Sequence, residues 1–148
     1  MKKRVILIVI VSFVLYNLSW YFLIHNLYDS FVMSDMEKLN YTTYQCFDSD
    51  DYGYIVSFPG YLHFNSGCLS VTDSKSSSSL IIWPQYGNND YEYGIYVEYK
   101  SDIYQIMMTK DRRSVDINDQ EVIDANKEII DCLYTKAEKK WERLQMNR

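Results

Sequence analysis

The sequence predicts an α+β protein: an N-terminal transmembrane helix, then an antiparallel β-meander of five or six strands packed against one C-terminal helix. Three observations carry this prediction. Residues 5–28 contain no Asp, Glu, Lys or Arg. From Tyr52 to Ile117 apolar side chains recur mainly at a period of two. From Val122 to Leu144 they recur at three-four spacing. The chain divides accordingly into a basic start and anchor (1–28), a linker (29–50) and an extracytoplasmic α+β domain (51–148).

The apolar run covers residues 5–24. At about 1.5 Å per residue it spans roughly 30 Å, the thickness of a hydrocarbon core. Trp20, Tyr21 and Tyr28 gather at its far end, where amphipathic rings favour the membrane interface. Lys2, Lys3 and Arg4 precede the run; Asp29, Asp35 and Glu37 follow it. This asymmetry orients the N-terminus to the cytoplasm and the rest of the chain outward. A cleaved signal peptide has a shorter apolar stretch and a small-x-small site. Before Ser19 or Ser30 the −3 position would be Asn17 or Tyr28, neither of them small, so an uncleaved anchor is favoured. The expected location is the inner membrane, single-pass through residues 5–28, with a periplasmic or otherwise extracytoplasmic domain.

Asp48, Asp50 and Gly53 resemble the start of a calcium loop, but Tyr52 and Pro59 occupy two ligand positions, so a turn is the better reading. Tyr52, Tyr54, Val56 and Phe58 share one face of the first strand. Pro59-Gly60 then closes a two-residue hairpin, which sets Phe58 opposite Tyr61 and Asp51 opposite Cys68. The return strand covers residues 61–71. Residues 74–79 read as a flexible, serine-rich loop. Leu80, Ile81, Ile82 and Trp83 form a short strand closed by Pro84, and Gly87-Asn88-Asn89-Asp90 is a turn. Tyr91, Tyr93, Ile95, Val97 and Tyr99 alternate with Glu92, Gly94, Tyr96 and Glu98, the clearest half-buried strand. After a turn at 100–102 comes a strand over 103–109, and Val115 and Ile117 make a last short one. The helix starts with Asn118 as N-cap and Glu121 completing a capping box. Val122, Ile129, Ile130, Leu133, Ala137, Trp141 and Leu144 form its apolar stripe, with Asp124, Glu128, Asp131, Glu138 and Glu142 opposite and Asn126 and Lys140 as interruptions.

Residues 29–135 carry eighteen acids against seven bases, a surface that repels phosphate backbones; nucleic-acid binding is not expected. Residues 136–148 reverse the sign, as the end of a helix favours. No motif supplies a catalytic residue, a cofactor loop or a metal site. His63 has no strand–turn–helix elbow around Ser66 or Ser70. Cys68 has no nearby base except His63 to lower its pKa. Asp116, Asp119, Glu121 and Asp124 are accounted for by the positive end of a helix dipole. Of the three cysteines, Cys46 and Cys68 are the candidate disulfide, with Cys132 left over.

Tyrosine is the compositional signal: fifteen in the chain, thirteen beyond residues 5–24, too many for one small core. Trp83, Tyr91, Tyr93 and Tyr99 are the candidate binding patch, since such rings anchor interfaces and stack on sugars. The expected function is an anchored protein-binding or accessory module of a bacterial envelope, with immunity or inhibitor proteins as one version. The alternative is recognition of cell-wall glycan through the aromatic patch. A further alternative is an enzyme whose site no motif reveals.

Overall fold

The computed structural model describes residues 2–64, 66–86 and 90–144. Helix α1 (Lys2–Tyr28) is long and apolar enough to cross a membrane, and its most apolar stretch is not covered by the rest of the protein. Only its end enters the core. Ile24, Tyr28 and the following Phe31, in a 3₁₀ turn (Asp29–Phe31), are each at most 2% exposed.

Seven antiparallel strands follow in sequential order: β1 (Glu37–Lys38), β2 (Thr43–Phe47), β3 (Tyr52–Ser57), β4 (Cys68–Asp73), β5 (Ser79–Pro84), β6 (Tyr91–Tyr99) and β7 (Asp102–Met108). The α+β meander is therefore as the sequence predicts, with more strands than five or six. β1 and β2 come from residues read as linker. The last predicted strand is reduced to a single bridge between Met108 and Ser114.

The β3–β4 connection corrects the hairpin expected at Pro59-Gly60. Ser57 pairs with Cys68 and Tyr52 with Asp73, so the connection is ten residues long rather than two and Asp51 does not face Cys68. The β6–β7 connection is tight: Tyr99 pairs with Asp102, and Lys100 and Ser101 both have positive φ, as a type I′ turn requires. The turn expected at Gly87-Asn88-Asn89 lies outside the described residues.

One face of the sheet carries Tyr54, Val56, Leu69, Val71, Leu80, Ile82, Ile95, Val97 and Ile106, all buried. The C-terminal helix covers this face in two pieces, α2 (Gln120–Ala125) and α3 (Lys127–Lys140). The break is at Asn126, which the sequence marks as an interruption of the stripe. Its side chain is buried and donates to the Val122 carbonyl oxygen, a local bond that competes with helix continuation. The cap also differs from Asn118: Asp116 Oδ1 accepts from the Asn118 backbone N–H, and Asp119 precedes α2 without a side-chain cap. Ile130, Leu133, Tyr134, Ala137 and Trp141 fill the space above the sheet.

Candidate functional site

The alternation along β6 decides which rings face the core. Tyr93 is buried and stacks near Tyr134 of α3, with ring centres 5.7 Å apart. Burial pushes its phenol up to about 12. Tyr91 packs edge-on against Phe31. Tyr99 is half-buried beside Tyr104, and its hydroxyl donates to Glu121 Oε1 at 2.6 Å. These three tyrosines lie on the helix-covered side. Trp83 has the opposite parity on β5 and lies on the outer side. The four predicted patch residues are thus divided between two faces and do not form one surface.

The described helices α2 and α3 cover the other face, and the composition of the outer face is unusual for a sheet surface in contact with water. The outward residues of β2 to β5 are Thr43, Gln45, Phe47, Gly53, Ile55, Ser57, Cys68, Ser70, Thr72, Ser79, Ile81 and Trp83. β7 adds Ile103, Gln105 and Met107. Across β2 to β7 only Glu92 and Glu98, both on β6, carry charge on this side. Ile55, Ile81 and Met107 form its centre, on one cross-strand row completed by Ser70 and Gly94.

Two strand glycines, Gly94 in the middle of β6 and Gly53 near the start of β3, flatten this surface. A Cβ at Gly94 would come within 2.8 Å of the Trp83 ring, and one at Gly53 within 3.1 Å of Phe47. Each ring lies down over a glycine because no side chain stands beneath it. Beside Trp83 is a groove of about 340 Å³, lined by Gln85, Glu92, Gln105 and Met107. A ring flanked by amides and one carboxylate can stack and orient a flat polar ligand, or seat a partner's side chain. The sequence places the tyrosines correctly on one face of β6 but not the choice of face. Gly53 and Gly94, glycines inside strand patterns, are the signal that marks the other one.

The cysteines do not come together. Cys46 on β2 pairs with Tyr54, which pairs with Val71; Cys68 lies three residues before Val71 on β4. Two strand spacings alone amount to about 10 Å, beyond the roughly 7 Å a disulfide tolerates between Cα atoms. All three cysteines are free. Burial pushes the thiols of Cys46 and Cys68 up, away from nucleophilic character. Cys132 lies 3.1 Å from the Tyr52 hydroxyl, and that hydrogen bond first, then burial, pushes the phenol up to about 12.

A second cleft, of about 270 Å³, gathers charge at the β2–β3 turn. Lys136 Nζ reaches Asp48 at 2.8 Å and Asp50 at 2.6 Å, and Lys140 Nζ reaches Asp35 at 2.6 Å. Asp48 Oδ1 also accepts from the backbone N–H groups of Asp50 and Tyr52, and Oδ2 from the Tyr54 hydroxyl. Partial burial pushes the Asp48 carboxyl up, but Lys136 and these donors outweigh it and hold it well below the usual carboxylate range. Its bond to Asp48 pushes the Lys136 ammonium up. This pairing of charges holds the turn to α3; it prepares neither group to exchange a proton near neutral pH. The calcium-like aspartates are therefore engaged in a turn, as the sequence indicates.

His63 is an exposed loop residue whose carbonyl oxygen accepts from Trp20 Nε1 at 3.0 Å. Nearby Ser66 Oγ accepts from the Gly60 N–H. Of the acids at the helix start, Glu121 bonds Tyr99 and Lys100, and Asp124 accepts from Gln120. Among the described residues no cluster of three or more His, Cys, Asp or Glu is placed to hold a metal ion. Comparison of the chain with protein-family models, with curated proteins and with solved structures finds no match.

Proposed function

We propose that the protein is anchored by α1 with its N-terminus in the cytoplasm and its acidic domain outside it, and acts there as a protein-binding or accessory module of a bacterial envelope rather than as an enzyme. The observation that carries this reading is the outer sheet face: open, flattened by Gly53 and Gly94, and nearly free of charge in a chain that is 24% charged. Charged residues are depleted at the centre of protein interfaces, and aromatic residues and Met are enriched there. Trp83 and Met107 supply that centre; Glu92 and Glu98 supply a charged margin. An inhibitor or immunity role fits the negative charge of residues 29–135, which speeds capture of a basic partner. Recognition of cell-wall glycan is the second reading, favoured by the Trp83 groove with Gln85, Glu92 and Gln105 at its sides.

The test is co-purification from gently solubilised membranes, comparing the natural chain with Ile81→Arg on the outer face and Glu128→Lys on the exposed side of α3. A protein partner should be retained by Glu128→Lys and lost with Ile81→Arg while the domain stays folded. Retention by both variants would contradict the assignment of the face. Loss of binding to peptidoglycan fragments rather than to a protein would favour the glycan reading.

A further inference from the structure

The loop between β3 and β4 runs along the anchor. Phe58 packs against Tyr28 and His25, with ring centres 5.4 and 5.7 Å apart. Further on, Tyr61 meets Trp20 edge-on at 5.4 Å, and Phe64 meets Tyr16 at 6.4 Å. Trp20 Nε1 donates to the His63 carbonyl oxygen, and the Tyr61 hydroxyl donates to Asn17 Oδ1. The loop thus reaches eight residues, about 12 Å of helix, before Ile24, where α1 enters the core.

That depth conflicts with a loop held wholly in water. From Val5, the first residue after the basic cluster, to Tyr16 the helix rises only about 16 Å, roughly half of a hydrocarbon core. A helix that crosses the membrane therefore carries residues 61–64 down with it on the outer side. We infer that this loop is a second membrane contact, its tip inserted among the acyl chains of the outer leaflet below the headgroups. The inference rests on the reading of α1 as a spanning anchor.

The loop is built for such a place. Polar backbone groups near lipid must be paired within the protein. Here the His63 N–H donates to the Gly60 carbonyl oxygen at 2.8 Å, its carbonyl is taken by Trp20, and the Gly60 N–H is taken by Ser66. The side chain of Asn17, which accepts from Tyr61 at Oδ1, donates from Nδ2 to the Phe13 carbonyl oxygen at 2.7 Å. Leu62 is held at φ 59, a left-handed conformation rare for leucine, within this tight turn. What the loop leaves uncovered is amphipathic: Tyr61 is 63% exposed. Across a small niche lined by Trp20, Ile24 and Pro59, the β1–β2 turn presents Tyr41, 97% exposed. Tyr41, level with Ile24 about 28 Å above Val5, places its ring and hydroxyl in the media each prefers at the headgroups. Lys38 lines the same niche, where an insertion to this depth would bring its ammonium to lipid phosphates. The opposite end of the sheet, at Phe47, Asp73 and Tyr99, points away from the bilayer.

Photocrosslinking of the full chain reconstituted in vesicles of phosphatidylethanolamine and phosphatidylglycerol tests this. p-Benzoylphenylalanine is placed one position at a time at Ile10, Phe47, Tyr61 or Phe64, and lipid adducts are read by mass spectrometry. Tyr61 is open enough to accept the probe even where Phe64, packed between Tyr16 and Tyr86, does not. Adducts are expected at 10, 61 and 64 and not at 47. Adducts at 10 with none at 61 and 64, or labelling at 47 equal to that at 61, would overturn the loop insertion and leave the anchor standing. Absence of adducts at 10 would overturn the anchor reading and the insertion with it.

Discussion

Trp141 donates its indole Nε1 hydrogen to the carbonyl oxygen of Phe31 at 3.0 Å, inside the core. Residues 110 positions apart are joined there: the end of the C-terminal helix and the turn that follows α1. The bond satisfies a carbonyl at the close of the 3₁₀ turn that has no water to turn to. Trp141→Phe keeps an aromatic ring but leaves that carbonyl unpaired, which should cost about 1–3 kcal/mol. Denaturant unfolding in detergent micelles checks it, and a midpoint equal to that of the natural chain would mean the link contributes nothing.

Leu133 is fully buried at the centre of the α3 stripe. Leu133→Ala should cost about 2–5 kcal/mol through lost contacts and a cavity. The contrasting site is Glu128, which is exposed; Glu128→Ala should change stability by less than about 0.5 kcal/mol. Glu138, also on the arc the sequence assigns to solvent, is unsuitable as a control. With Asp131 it faces Arg112, at 3.5 and 2.9 Å. Similar unfolding midpoints for Leu133→Ala and Glu128→Ala would show that α3 does not dock on the sheet.

The Asp48 carboxyl gives the fold an acid-sensitive link. Its folded-state pKa lies below the unfolded value, so its contribution is complete above about pH 4 and is lost as the pH falls toward the folded value. Asp48→Asn should therefore lower the thermal midpoint at neutral pH, and the gap between variant and natural chain should narrow below about pH 3. A gap that stays constant or widens on acidification would contradict the role given to Lys136 and the turn N–H groups.

The legible parts of this fold are those where local pattern and tertiary environment agree. The alternation from Tyr91 to Tyr99 is visible because one side of β6 is buried and the other is not. The helix stripe from Ile130 to Trp141 is visible for the same reason at a different period, and Asn126 marks the break within it. Leu62 and Phe64 alternate like a strand, but they belong to a loop whose partner is α1, more than forty residues earlier in the chain. No window of local sequence contains that contact. β2 is similarly hidden: Thr43, Tyr44 and Gln45 are all half-buried, so no strong alternation distinguishes it from a linker. The aromatic patch fails on a finer point. Period two says which residues share a face, but the choice between faces is made by distant elements: Tyr93 lies against Tyr134 of α3, Tyr91 against Phe31 and Tyr99 against Glu121 of α2, with Trp83 on the other side.

Site-specific photocrosslinking in native membranes shows whether the outer face is a docking surface. With p-benzoylphenylalanine in place of Trp83 or Ile81, one discrete protein adduct of the same mass is expected from both positions, and none from Glu128 on the far side of the domain. Adducts from Glu128 alone, or the same adducts from all three positions, would contradict it.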